Sequence, residues 1–394
     1  MLKKSILVKR KNIRLFSLTI ALLFALPFGW GKFSGLSNWM SPFVMLNSVL
    51  ALKSLVLLNS VGFIVLTASL FRKRFFCRFL CPTGCLLERI PKMEGIKRNV
   101  NLKKFPYLGK WFSIISLAGA TFGFPIFIYL DPISLFNGFF GSLFRFSCLV
   151  IIVSVAGFLI LLILQLIWPG LWCKRICPLG GLQLWVSELK SLFGGSKQSK
   201  EKIAVGRRFF IGSAMGTVAA IAFPVIAKSD DEVVIRPPAS LDSEELYALC
   251  TRCGSCLKAC PTKILKQDIR FGLGFLTPVA SFESGYCLET CNACSVVCPS
   301  GAITLFSVEA KPQIIMGKAI ISLTDCLLAY QTECDRCKVV CAYKAIFIKG
   351  KEGETLMLPE VVEASCVGCG ACKIVCPKNC IKISGNSIIN KHKY

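Results

Sequence analysis

The stretch Cys250-Thr-Arg-Cys253-Gly-Ser-Cys256-Leu-Lys-Ala-Cys260-Pro261 decides how the rest of the chain is read. Three thiolates at this spacing wrap a tight loop around one face of an iron–sulfur cube, and a fourth, placed before Pro, is sent to a neighbouring cube. The pattern returns as Cys287, Cys291, Cys294 and Cys298-Pro299, and again as Cys366, Cys369, Cys372 and Cys376-Pro377. Between these lies a looser set, Cys326, Cys334, Cys337 and Cys341, with a longer first gap and Ala342 in place of Pro. Four sets of four predict four [4Fe–4S] clusters. Zinc knuckles and a disulfide framework are the rival readings, but zinc sites group cysteines in pairs, whereas triplets followed by Cys-Pro are a ferredoxin pattern. Two-cluster modules exchange their fourth cysteines; the sequence leaves open which set pairs with which.

The chain of 394 residues is 54% hydrophobic, too apolar for one soluble domain. Its net charge of +25 is unevenly spread. Residues 1–208 hold 28 Lys and Arg against 5 Asp and Glu, and residues 209–394 hold 19 against 17. The positive charge thus flanks apolar stretches, as the positive-inside rule predicts, and does not form the one-sided basic face that nucleic-acid binding needs. One histidine, His392, cannot supply haem ligation, so the expected electron path contains no haem.

Lys3, Lys4, Lys9, Arg10, Lys11 and Arg14 precede a first apolar span, about 15–30, and set a cytoplasmic amino terminus. Further spans are expected at about 54–71, 111–130 and 146–168. Outer loops are expected to carry Ser41-Pro42 through Asn47 and Asp131-Pro132 through Asn137, and basic inner loops to carry Cys77-x3-Cys81-Pro82 and Cys173-x3-Cys177-Pro178. This is an internal repeat: Pro42 and Asn47 return 90 residues later, and the Cys-x3-Cys-Pro motif returns 96 residues later. Arg207-Arg208-Phe209 before a Gly- and Ala-rich fifth span reads as a twin-arginine export signal, the route that carries folded, cluster-loaded domains. Ordinary basic residues flanking a helix are the alternative.

The expected fold is an all-α membrane four-helix bundle with a fifth anchoring span, joined to an α+β ferredoxin-like polyferredoxin domain. Its parts are a four-span module at 1–190, a twin-arginine-type span and linker at 191–242, and a four-cluster domain at 243–394. Short strands are expected at 301–303 and 380–383.

Arg236-Pro237-Pro238, Cys250-x-Arg252-Cys253, Thr277-Pro278, the spacing Cys326-x7-Cys334-Asp335-x-Cys337-x3-Cys341 and Val367-Gly368-Cys369-Gly370 resemble the G subunit (NapG) of the quinol dehydrogenase of periplasmic nitrate reduction, and its methylamine-utilisation relative MauM. The amino-terminal half is similar to the H subunit (NapH) of that system. It differs in having no two-cluster ferredoxin after its last span and in being fused to the G-like part, which raises the effective concentration of one for the other. The resemblance implies a membrane-anchored carrier on the bacterial inner membrane, with quinol dehydrogenase activity and the cluster domain on the periplasmic side. It would pass electrons from the quinone pool to a periplasmic reductase or cytochrome.

Cys77, Cys81, Cys173 and Cys177 offer four thiolates for one shared cluster or two redox dithiols; structural thiols at helix ends are the plain alternative. Cys85, Cys148 and Cys380 are expected bystanders. Candidate groups for quinol oxidation are Asp131, Asn47, Asn137 and Arg145, with helix capping as the competing role. A maturation factor for a periplasmic redox enzyme and a redox-sensing regulator are the alternative functions.

Overall fold

A computed structural model describes residues 2–26, 33, 35–54, 60–72, 74–93, 102, 105–142, 148–193, 199–228, 234–270, 272–350 and 357–385. Arg145 and His392 lie outside these residues, as do the side chains of Cys148, Arg207 and Arg208.

The amino-terminal half is helical. It runs α1 (Leu2–Ala25), α2 (Leu36–Trp39), α3 (Pro42–Leu52), α4 (Ser60–Phe71), α5 (Phe75–Phe79), α6 (Pro82–Met93), α7 (Leu108–Thr121), α8 (Pro132–Ser142), α9 (Cys148–Ile167), α10 (Pro178–Phe193) and α11 (Ser199–Lys228). Four of these helices open on proline, whose fixed φ suits a first turn and whose missing N–H would be unpaired there anyway. The residue before a proline is pushed out of the helical region. Ser41, Asp131 and Cys177 accordingly have ψ of 110°, 126° and 119°.

The repeat thus has a different form from the four-span bundle expected. Each copy is a short helix (α3 or α8), an apolar helix (α4 or α9), a Cys-x3-Cys-Pro turn, and a second Pro-started helix (α6 or α10). Among the described residues, one segment, Phe209–Ile226, is long and apolar enough to cross a membrane. Pro42–Leu52 and Ser60–Phe71 are shorter apolar helices, and Asn12–Ala25 and Gly157–Ile167 are apolar stretches of the longer helices α1 and α9. Nor are the segments at 41–47 and 131–137 outer loops set apart from the cysteine turns. The Thr83 hydroxyl, two residues past Cys81, donates to the Pro132 carbonyl at 2.6 Å. A hydropathy reading misses this because α3 and α8 are apolar helices of only eleven residues. α11 packs on α7 through small residues: a Cβ on Gly216 would meet the Ile115 carbonyl at 2.5 Å, and one on Gly212 would meet the Ile114 side chain at 2.9 Å.

The carboxy-terminal half holds α12 (Ser243–Leu249), α13 (Ser255–Ala259), α14 (Ala293–Val296), α15 (Arg336–Val339) and α16 (Ala371–Val375). Three antiparallel ribbons pair β1 (Leu265–Gln267) with β2 (Pro278–Ala280), β3 (Gly317–Ile321) with β6 (Ile381–Gly385), and β4 (Ile346–Gly350) with β5 (Met357–Val361). The strand expected at 380–383 is therefore the start of β6. The one expected at 301–303 amounts to a single bridge between Ile303 and Ser240.

The two halves are docked. Asn38 donates to the Ser255 hydroxyl at 3.2 Å, Ser48 donates to the Ser300 carbonyl at 2.9 Å, and Lys258 donates to the carbonyl of Ala25, the last residue of α1, at 3.2 Å. The Arg252 guanidinium sits over the Tyr129 ring, 5.1 Å from its centre. Ala51 and Leu52 pack against the buried cluster of Leu246, Leu249 and Ala302.

Candidate functional site

The cysteine sets meet in crossed pairs. A cavity is lined by Cys250, Cys253 and Cys256 of the first set and by Cys298, the last cysteine of the second. The converse site gathers Cys287, Cys291 and Cys294 with Cys260 of the first set, near enough for their charges to interact. A second cavity is lined by Cys366, Cys369 and Cys372 with Cys341, and a third by Cys326, Cys334 and Cys337 with Cys376. First and second sets exchange their fourth cysteines, and so do third and fourth.

The local sequence explains the wrapping. Gly254 and Gly370 take left-handed backbone at φ of 68° and 83°, letting the loop turn back into the short helices α13 and α16. A Cβ at Gly370 would also collide with the Phe282 ring.

An iron–sulfur cube fits this donor set and zinc does not. Among the described residues no three His, Cys, Asp or Glu side chains are close enough to share one metal ion, whereas a cube spreads its thiolates over four corners. Two hydroxyls that line these cavities, Thr251 and Tyr343, are buried without a partner in the protein; cluster sulfur is the acceptor such donors need. Burial pushes the Cys250 and Cys372 thiols up to about 12, against the milder pull of Arg252 on Cys250 and a backbone N–H on Cys372. Only metal coordination makes thiolates of such groups at neutral pH.

Two residues that the spacing did not single out belong to these sites. Cys380 lines the third-set cavity, its sulfur 3.4 Å from that of Cys376. Lys311, 3% exposed, donates to the carbonyls of Leu288 and Cys291 and brings a buried cation to the second set. Lying four residues after a full set, Cys380 carried a weak signal; an isolated lysine carried none.

In the helical half, Cys77, Cys81, Cys173 and Cys177 come together. Each of the four sulfurs lies within electrostatic reach of the others. The Gln183 amide donates to the Cys77 sulfur at 3.4 Å, and the Arg74 guanidinium donates to the carbonyls of Cys173 and Lys174 at 3.4 and 3.1 Å. Asp131, Asn47 and Asn137 are fully buried, not lining an outer surface. Asp131 accepts from the Ser41 hydroxyl at 2.6 Å and from the N–H groups of Ile133 and Ser134 at 3.1 Å, the work of an N-cap. Asn47 accepts from Ser116 at 2.8 Å, and Asn137 donates to Asn38 and Ser37 at 2.6 and 2.8 Å. Their contacts are those of capping and bridging groups.

Comparison with known proteins meets this geometry from the sequence side. Profiles described as 4Fe-4S binding domains match residues 246–266 and 359–382, and a further 4Fe-4S binding domain profile matches 55–99 and 150–199. The methylamine utilization ferredoxin-type protein MauM of Paracoccus denitrificans is 31% identical over 177 residues, which is 42% of this chain and 75% of MauM. The chain belongs to the MauM/NapG family of ferredoxin-type proteins. Ferredoxin-type protein NapG of Escherichia coli is likewise 31% identical over 185 residues, 42% of this chain and 78% of NapG. Escherichia coli NapF, another ferredoxin-type protein, is 34% identical over 138 residues, 34% of this chain and 76% of NapF. No solved structure matches. The chain is thus an iron–sulfur electron-transfer protein of this family, extended at its amino-terminal end by a helical half.

Proposed function

We propose that this protein is a membrane-anchored electron carrier that takes electrons from the quinol pool of a bacterial inner membrane and delivers them through four [4Fe–4S] clusters to a periplasmic oxidoreductase or cytochrome. When bound, each cluster supplies a one-electron redox centre. The observation that carries the reading is the order of the four sites. The first-set cavity sits at the junction with the helical half, through Ser255, Ser300 and Arg252. The converse site follows it, sharing the same pair of sets. The Cys287 N–H donates to the Cys369 carbonyl at 2.9 Å, so the fourth-set cavity comes next. Last is the third-set cavity, whose loop bears exposed Tyr330 and Val339, 70% and 75% accessible. A single file from an apolar half to a solvent-facing loop is what a carrier between membrane and soluble partner requires.

Membrane anchoring is supported by apolar side chains turned outward along α4, α9 and α11, among them Ile64, Phe71, Ile160, Phe210 and Val225, all more than half exposed. The excess of basic residues in 1–208 supports a cytoplasmic amino terminus, and Arg207-Arg208 ahead of the apolar segment supports export of the cluster half. The test is to purify the chain anaerobically in detergent, add a menaquinol analogue and record electron paramagnetic resonance. Reduced cluster signals on quinol addition are expected; clusters that dithionite reduces and quinol leaves oxidised at every potential tested would overturn the quinol reading.

A further inference from the structure

The two Cys-x3-Cys-Pro turns are each too poor in ligands to hold a cluster alone. The matched segment 150–199 contains only Cys173 and Cys177; the segment 55–99 contains Cys77, Cys81 and Cys85. The fold brings the two halves of the repeat face to face. Gln183 of the second copy hydrogen-bonds the Cys77 sulfur of the first, and Arg74 of the first clamps the carbonyls of Cys173 and Lys174 in the second. The sulfur contacts are paired by the repeat. The Gly84 N–H donates to the Cys81 sulfur at 3.3 Å, and the Gly180 N–H, 96 residues later, donates to the Cys177 sulfur at 3.4 Å.

Four thiolates in an apolar interior need compensating positive potential. This site has it. Cys81 and Cys177 stand at the N-termini of α6 and α10, helices of twelve and sixteen residues whose dipoles point their positive ends inward. α3 and α8 bring two more N-termini to the same place, tied in by the Thr83 bond to Pro132 and the Ser41 bond to Asp131, although the Asp131 carboxyl caps α8, so the favourable field comes from α6 and α10. Beside the cysteines, the Trp172 indole N–H is a buried donor without a partner, as the Thr251 and Tyr343 hydroxyls are at the ferredoxin cavities.

We propose that Cys77, Cys81, Cys173 and Cys177 hold one iron–sulfur cluster, shared by both copies of the repeat and distinct from the four of the ferredoxin half. As in those four, no three of the side chains converge closely enough for a single metal ion. The site lies beneath the docking surface. On α1, Ser17 bonds the Leu80 carbonyl beside the cysteines, and Ala25 bonds Lys258 of the ferredoxin half. Those eight residues rise about 12 Å. Use of the site as the entry point for electrons rests on the carrier reading; its existence does not.

The experiment measures iron per chain and Mössbauer and electron paramagnetic resonance spectra of the full chain, anaerobically purified, and of Cys77→Ser, Cys173→Ser, the double variant and Cys85→Ser. Each single variant is expected to lose one cluster's iron and the same spectral component, the double variant no more than either single, and Cys85→Ser none. The ferredoxin signals report that the variants have folded. Losses that add in the double variant would mean two separate sites, and unchanged iron in both singles would mean dithiols or structural thiols; either overturns the proposal. Should the variants not accumulate, the wild-type iron content decides: four clusters' worth overturns the fifth, five supports it. Quinol reduction of a chain with only four clusters would leave the carrier reading standing while this one fails.

Discussion

The first and second cysteine sets and the third and fourth are built on the same exchange of ligands but live in opposite surroundings. The loop from Thr251 to Ala259 alternates buried residues with half-buried ones and rests on α2 and α8. The loop from Thr332 to Lys344 is mostly exposed, with Arg336, Lys338 and Val339 open to solvent. Identical chemistry at the two ends means that position, not ligand type, assigns their roles. One pair faces the helical half and the other opens to solvent.

The largest effect expected from breaking that arrangement comes from the exchanged ligands. Cys298→Ser should abolish the spectral component that Cys253→Ser also abolishes, although the two residues belong to different sets by sequence. Cys376→Ser should match Cys334→Ser in the same way. Because cluster binding is part of the folding free energy of such small domains, the first-set variants should also lower the melting temperature of the whole ferredoxin half. Spectra that sort by sequence set instead of by cavity would refute the crossed pairing.

Next comes the junction itself. A Cβ at Gly35 would stand 2.6 Å from the Val297 carbonyl, a backbone atom that cannot rotate away. Gly35→Val should therefore push the ferredoxin half off its seat at a cost of about 1–3 kcal/mol. Quinol-dependent reduction of the clusters should fall by about tenfold while dithionite still reduces them all. The matching change at the far end, Val339→Asp, should leave quinol-dependent reduction intact and slow only the onward transfer, since Val339, the last residue of α15, is 75% exposed.

How much of this was legible follows from what each feature depends on. The cluster cysteines could be read because their spacing is the local geometry of a loop around a cube. Their pairing could not, because it depends on how β3 and β6, sixty residues apart, join to hold the third and fourth sets together. In the helical half the repeat of Pro42 and Pro132 was visible, but hydropathy turned it into outer loops; only the bond from Thr83 to Pro132 reveals that these prolines start helices facing the cysteines. Asp131 and Asn137 looked like proton acceptors for the same reason, since a polar residue beside an apolar run is equally a buried cap. Lys311 needed the fold, because nothing in its neighbourhood marks a lysine destined for the second-set carbonyls.

The smallest expected effect separates the frame of the ferredoxin half from its clusters. Asp268, 5% exposed, bonds Arg270 at 2.7 Å and lies 3.7 Å from Arg236, which in turn bonds Thr277 and the Tyr247 hydroxyl. Burial alone would raise the Asp268 carboxyl, but the hydrogen bonds and charge of Arg270, with Arg236 behind, outweigh it and hold the group below the usual carboxylate range. A folded-state value below the unfolded one means stability that is fully present above the unfolded value of about 3.9 and drains away as pH falls through the lower folded value. Asp268→Asn should then cost about 1–3 kcal/mol at neutral pH, seen as a lower melting temperature with cluster spectra unchanged. The gap between variant and wild type should begin to narrow below about pH 4, where the unfolded chain takes up its proton, and close once the pH falls below the lower folded value. A gap that persists undiminished into acid would show that Asp268 acts through shape and not through its charge. Loss of a cluster signal in the variant would place the Arg236 network inside the junction sites instead of beside them.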